Sequence, residues 1–551
     1  MNNHTLSRPA DIHSLAQTYF SYMAQTFPVM CLSDEFYFFP RAEEAVAHLG
    51  SMESLDKDTI GEATHKVGIW LGESDRSGDE TDDSSALLLS QSMAGFLREF
   101  DKRMVWQEDP TLYLKISLLG LDQLLCLEQH GSLLERDWVK GRLEAIPGVI
   151  KSGKRNLRHT SATCAQAALA MARQCSMFLS TSCAHWLDSR FGRDRDMSKA
   201  LDRAVGAVGG FINFLPSVPE TRPFAAGEEI LALTLRESFG FSGTVPEVLE
   251  SALDEEAGAQ QALEKIARQI DPEKSWQTIY NGIVIKGLCA DAVLDHYWNE
   301  VKGLETFYRK GEIVPFPPAG SVVVEETPLF LQPIRATASY CSPFPGMQTG
   351  RGRFFVNTER DGQHVSSESD LSALHREVRF LSAHETYPGH HVLDWNRMHL
   401  SDPIRRQIES ALFYEGWACY GEQLTDESGY QPDLRQSLIR IKRDLWRAVR
   451  ARLDIELHTG TLSLEQGTDM LCELGYPKQS ALKQVRRYAL TPGYQLCYTL
   501  GKREILSLKK QFVPPLSLRN FHSIVLGEGE VPFHCLERSL KKAASEIVNH
   551  H

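Results

Sequence analysis

The stretch "SAHETYPGHH", Ser382 to His391, decides how the rest of the chain is read. It opens like the HExxH pattern, in which one helical turn brings two imidazoles to a zinc ion and the glutamate serves as base. Here His384 is followed by Glu385, but the position four after His384 is Pro388, and the next histidines are His390 and His391. Proline lacks an N–H and its ring clashes with the carbonyl four residues back. Glycine then frees the backbone. The helix carrying His384 is therefore expected to kink or end near Tyr387. On an unbroken helix His390 and His391 would lie roughly 9 to 10 Å along the axis from His384. Zinc holds nitrogen at about 2.0–2.1 Å, so a straight helix would keep the histidines apart and the Pro-Gly break removes that obstacle. The spacing predicts a metal site on a broken helix and leaves the choice between His390 and His391 open. Glu385 is the natural base for a zinc-bound water.

Working outward, a third ligand is needed. "IESALFYEGWACYGEQL", from Ile408, reads as a helix with Glu415 embedded among Phe413, Tyr414 and Trp417. A buried carboxylate is costly unless a cation meets it, so Glu415 is the candidate ligand; Glu422, seven residues on, reads as a surface residue. "LWRAVRARLDIELHTG" reads as a helix with Arg447, Arg450, Asp454 and His458 on one face. Spacing alone makes that stripe a solvated face. In "RRYALTPGYQLCYTLGKREIL", "TPG" signals a helix start, with Tyr494 to Leu506 as the helix. Tyr498 in it is a candidate donor to an oxyanion.

Residues from about 10 to 310 repeat apolar residues at three and four spacing, which predicts a helical N-terminal lobe without a chemical motif. "GESDRSGDETDDSS" (Gly72 to Ser85) reads as a surface loop within it. The texture changes over 311–369, a Pro/Gly-rich segment with β-branched runs that predicts short strands, "RFFVNT" the best of them. Residues 370–551 return to helix and carry the chemistry. A net charge of -13 argues against a nucleic-acid binder. The 11 cysteines show no CxxC pairs and read as reduced, buried residues of a cytoplasmic protein. The N-terminus shows no signal-peptide pattern. The most apolar run, "LYLKISLLGLDQLLCLE", is interrupted by Lys115 and Asp122 and reads as a buried core helix, so no membrane span is expected.

Five motifs run in order through the final third: HE-x-x-PGHH, YEGWA-x-YGEQL, RAxR…D…H, RY…PG…Y-x-x-G and FH…LG-x-G-x-VP…LE. Together they resemble the bacterial domain of unknown function 885 family. "RGRFFVNT" also resembles that family's strand before the motif. The family in turn looks similar to helical zinc peptidases of the neurolysin and carboxypeptidase Taq kind, which have a deep channel between helical lobes. Zincins of that type often place a glycine directly before the second ligand. The analogy makes His384, His390 and Glu415 the ligands and Glu385 the base, with His391 beside the metal or donating to the transition state. The resemblance also raises Arg447, Arg450, Asp454, His458 and Tyr498 to site-lining residues. Tyr494 stands where the family has Gln, and Ser523 where it has Asp; both bear on substrate preference.

The expectation is a mainly α, two-lobed zincin-like protein with a small sheet beside the site, working as a zinc metallopeptidase of the carboxypeptidase, dipeptidase or oligopeptidase type. One zinc per chain is expected, though manganese or cobalt suit the same ligands. A peptide or small amide would lie beside the strand near Arg353 to Thr358, whose free edge would pair with its backbone; Arg353 and Asn357 are candidate substrate contacts. The rival readings are a metal hydrolase of a non-peptide amide or ester, and a catalytically silent binding protein. The intact His-Glu pair speaks against silence.

Overall fold

The computed structural model describes residues 11–78, 84–129, 135–327, 338–346, 351–360, 363–365 and 367–549. The protein is mainly helical, with a small three-stranded sheet. It falls into two compact units. The first comprises Met1–Phe224 with Phe344–Gln348 and Ser401–Glu409; the second comprises Ala225–Pro343, Thr349–Leu400 and Ser410–His551. Every candidate site residue named above belongs to the second unit.

The first unit is built from helices whose apolar stripes bury one another, as the three-and-four spacing dictates. The helix Thr111–Gln129 buries Tyr113, Leu114, Ile116 and Leu124. The acidic run that reads as a loop is partly helix, because Lys57–Gly78 continues through it and the next helix begins at Ser84. A polar run suits an exposed helix end as well as a loop, so composition alone does not separate them; residues 79–83 lie outside the described ones. No helix among the described residues is long and apolar enough to cross a membrane. No disulfide joins the cysteines among the described residues.

In the second unit the strands β1 (Val322–Glu326), β2 (Ala338–Cys341) and β3 (Gly352–Val356) form a sheet of order β1-β3-β2. β3 runs parallel to β1 and antiparallel to β2. Its five residues are all buried, as expected for a strand rich in aromatic and β-branched side chains with a neighbour on each side. This corrects the expectation of a free edge near Arg353: β3 is the central strand. The edge that meets the HE segment is that of β2, where Tyr340 N–H donates to Glu385.

Five helices carry the motifs. The HE helix is Val378–Glu385 and the HH helix His390–Met398. The acidic helix is Ala411–Glu427, the arginine helix Leu434–His458 and the tyrosine helix Leu496–Phe512. The acidic and tyrosine helices touch backbone to backbone: a Cβ on Gly416 would come within 2.5 Å of the Gly501 carbonyl carbon, and one on Gly501 within 2.0 Å of the Leu412 oxygen. Only two glycines permit that approach, and it brings Tyr494 and Tyr498 against Glu415.

Candidate metal centre

The break between the HE and HH helices is sharp. The first ends at Glu385, and Gly389 caps the start of the second with φ -77 and ψ -130. Glycine is required there by space: a Cβ would fall 1.9 Å from the His384 carbonyl oxygen. The acidic helix fastens the break, since Trp417 Nε1 donates to the Pro388 carbonyl at 2.9 Å. Gly421 lets the helix approach, its missing Cβ only 3.2 Å from Pro388 Cγ.

Across this break three side chains converge. One ligand atom each of His384, His390 and Glu415 lie within 4.8 Å of one another, and all three residues are buried. Glu415 Oε2 stands 3.3 Å from His384 Nε2 and 3.7 Å from His390 Nε2. It has no hydrogen-bond partner, although a carboxylate oxygen buried without one is costly. The His390 ring stacks on Tyr414 at 4.0 Å between centroids, which fixes its plane. Tyr414 in turn donates to Asp394 of the HH helix.

Burial pushes each group towards its neutral form, and the neighbours decide the outcome. For Glu415 burial is outweighed by the nearby His384 and His390 imidazoles and the Tyr498 hydroxyl, which hold the acid down at about 2. For His390 burial dominates and pushes the imidazole down to about 3. His384 goes the other way. Burial lowers it, but the Cys419, Glu415 and Glu422 side chains around it hold it well above its ordinary value.

Glu422 is where the sequence reading fails. It is fully buried rather than on the surface. Its Oε1 lies 2.9 Å from His384 Nδ1. Arg443 and Arg447 each grip both of its oxygens, at 2.5–2.9 Å. Arg443 also reaches Glu377 at 2.6 Å. The carboxylate is held well below its ordinary range, because these two arginines outweigh the cost of burial. A carboxylate on the far nitrogen of a ligating histidine orients the ring and sets its tautomer. The signal was present: Glu422 lies two turns beyond Glu415 on one helix, and Arg443 and Arg447 sit four apart on another.

Glu385 is half-buried beside the triad. Its Oε2 accepts the backbone N–H of Tyr340, on the β2 edge, at 3.0 Å. Burial, opposed by His384 and assisted by Glu415, raises its carboxyl to about 7. His391 points elsewhere. Its Nε2 meets Ser321 Oγ at 2.7 Å and its Nδ1 meets the Tyr340 hydroxyl at 2.9 Å. Both nitrogens are engaged at the sheet, where Gly352 makes the room; a Cβ there would sit 2.7 Å from Nδ1. The transition-state role expected of His391 is therefore corrected to a structural one, because neighbours on a new helix point about 100° apart and only His390 faces the triad.

The arginine-helix stripe is not a solvated face: Arg447, Arg450, Asp454 and His458 are all buried. Only part of it reaches the triad. Arg447 acts through Glu422. Arg450 donates Nε to Gln495 Oε1 at 3.0 Å and lies over the Tyr498 ring at 4.2 Å. Asp454 accepts the backbone N–H groups of Gly493 at 2.9 Å and Gln495 at 2.7 Å. His458 Nδ1 accepts from Ala226 N–H at 3.2 Å, and its Nε2 faces the Tyr488 carbonyl at 3.3 Å. The substrate-binding roles expected of Asp454 and His458 are corrected accordingly, since backbone groups occupy both. Arg353 pairs with Glu325 inside the sheet, and Asn357 is buried just past β3. The tyrosine helix begins at Leu496 rather than Tyr494, because Gly493 is left-handed (φ 82) and Asp454 holds the turn. Tyr494 donates to Glu415 Oε1 at 3.0 Å, and its ring stands 6.0 Å from that of Tyr498.

A family model described as "Bacterial protein of unknown function (DUF885)" matches residues 41–540. The chain belongs to this family. Two solved structures share the DUF885 chain's fold. One, from Shewanella oneidensis and described as a candidate lipoprotein of unknown function, is 20% identical with a TM-score of 0.75, over 96% of this chain and 99% of that one. The other, a candidate lipoprotein from Colwellia psychrerythraea, is 17% identical with a TM-score of 0.74, over 98% of this chain and 100% of that one. No curated protein matches the chain.

Proposed function

We propose that this DUF885 protein is a metal-dependent hydrolase of peptides, with His384, His390 and Glu415 holding one zinc ion in a zincin-like, two-lobed helical architecture. The observation that carries the reading is the convergence of two imidazole nitrogens on a carboxylate oxygen that has no hydrogen-bond partner. Two nitrogens and one oxygen suit zinc and leave a position open, as in catalytic sites. A cation held there would polarise a carbonyl oxygen and acidify an attacking water.

The chain's own residues supply the rest. Glu385 follows a candidate ligand directly and takes the proton from the attacking water on its carboxylate, then passes it to the leaving amine. Among the described residues β2 is an edge strand beside it; the Tyr340 N–H there is held by Glu385, and its remaining backbone groups would pair with an extended peptide. Tyr498, whose hydroxyl faces Glu415 and whose ring lies under Arg450, is the candidate donor to the oxyanion. The same constellation would serve a non-peptide amide or ester. The β2 edge favours a peptide, because only a backbone can pair along it.

Elemental analysis of protein purified without added metal, followed by turnover on a peptide library with and without chelator, tests the reading. About one zinc per chain and chelator-sensitive cleavage are expected. A chain that carries no metal and takes up none overturns the site, and a zinc-loaded chain that cleaves no amide or ester leaves a binding protein. The cytoplasmic location expected from the sequence is tested by cell fractionation, because the two solved neighbours carry a lipoprotein description.

A further inference from the structure

We propose that Tyr494 is a positioning residue for the metal centre: its phenol holds Glu415 Oε1 so that only Oε2 is offered to the cation. This rests on the metal-centre reading above and concerns how the third ligand binds. The two oxygens of Glu415 have different surroundings. Oε1 accepts from the Tyr494 hydroxyl at 3.0 Å, and the Tyr498 hydroxyl also faces this carboxylate. Oε2 faces His384 Nε2 and His390 Nε2 at 3.3 and 3.7 Å and has no hydrogen-bond partner. A carboxylate with both oxygens free binds a cation through one or both; one already committed to a phenol binds through the other. A single contact keeps the coordination number low and a position open for substrate.

The phenol is itself held from several sides. Asp454, wholly buried, accepts the N–H groups of Gly493 and Gln495, the residues on either side of Tyr494. Gly493 is left-handed, and a Cβ there would stand 2.9 Å from Thr234 Cγ2, so the turn admits little else. Gln495 is tied to Arg450. The Gly416–Gly501 contact sets the distance between the helix that bears Glu415 and the helix that follows Tyr494. A buried acid two turns beyond Arg447 on its helix thereby acquires a purpose: Asp454 fixes the backbone that aims the phenol.

The test compares wild type, Tyr494→Phe and Tyr494→Gln. Zinc affinity is measured by competition with a chelator, and the visible spectrum is recorded after cobalt substitution. Partners of ligating groups are worth 10–100-fold in metal affinity, so the Phe variant should bind zinc about that much more weakly. Its cobalt bands should weaken as the carboxylate closes onto the ion and coordination rises. Gln keeps a donor and should recover much of both. Equal affinity and an unchanged spectrum in a folded Phe variant overturn the proposal. A second readout needs no variant: the zinc-dependent infrared carboxylate bands of wild type should be widely split, as for one-oxygen binding, and a narrow splitting overturns the proposal. Failure of wild type to bind zinc or cobalt instead overturns the metal centre itself.

Discussion

Glu53 in the first unit and Glu415 in the second make an instructive pair. Both are buried, and in both Oε2 lacks a hydrogen-bond partner. Their chemistry diverges. Glu53 meets backbone N–H groups, that of Met30 at 2.7 Å. Burial dominates there, against the Arg142 charge and backbone donors, and raises the acid to about 7. Glu415 faces two imidazoles and two phenols, and the acid falls to about 2. An orphaned carboxylate oxygen is thus not in itself a metal ligand. Convergence of further donors makes it a candidate, and among the described residues that occurs only around His384, His390 and Glu415.

Substitutions of four glutamates break or sharpen this contrast. Glu415→Gln should have the largest effect, abolishing stoichiometric zinc uptake in a calorimetric titration and activity with it. Glu385→Gln should lower kcat by roughly 10²–10⁴-fold while zinc content and Tm stay near wild type, because no ligand is lost. If Glu385→Gln sheds zinc while Glu415→Gln keeps it, base and ligand are assigned the wrong way round. Glu422→Gln should weaken zinc binding by about 10–100-fold through loss of the His384 partner. It should also lower Tm, since Arg443 and Arg447 would be left with a neutral partner; a variant of unchanged affinity would reduce Glu422 to a structural ion pair.

Glu53→Gln should leave zinc and turnover untouched and act only on stability. The folded-state pKa of Glu53, about 7, lies above the ordinary 4.5. The native state therefore holds the extra proton between those values, and its stability falls as pH rises through that window, by roughly 3 kcal/mol at most. Thermal melts from pH 4 to 8 should show a shallower fall in Tm for the Gln variant. Identical pH profiles would mean that Glu53 is solvated or paired, and the contrast with Glu415 would lose its basis.

Much of the site was legible because its signals are local. The clash of Pro388 with the preceding turn and the lack of space for a Cβ at Gly389 are near-neighbour effects, so the broken helix follows from ten residues. Glu415 stood out as a charge in an aromatic run. Glu422 did not, because one carboxylate on a helix looks the same whether it meets solvent or two arginines from another helix. The stripe from Arg447 to His458 was read correctly as one face. What that face meets, a carboxylate at one end and backbone amides at the other, depends on neighbours distant in sequence.

By itself the sequence determined the helical character, the three strands, the break at Pro388–Gly389 and the identity of the candidate base, all of which rest on periodicity and on the stereochemistry of adjacent residues. Only the tertiary structure decided that His390 rather than His391 faces Glu415, that among the described residues β3 is central and β2 an edge, and that Glu422, Asp454 and Tyr494 stand behind the candidate ligands. The physical reason is that direction and pairing depend on which helices and strands pack together. In this chain that packing is set by contacts such as Gly416 with Gly501 and Trp417 with Pro388, made between residues dozens of positions apart.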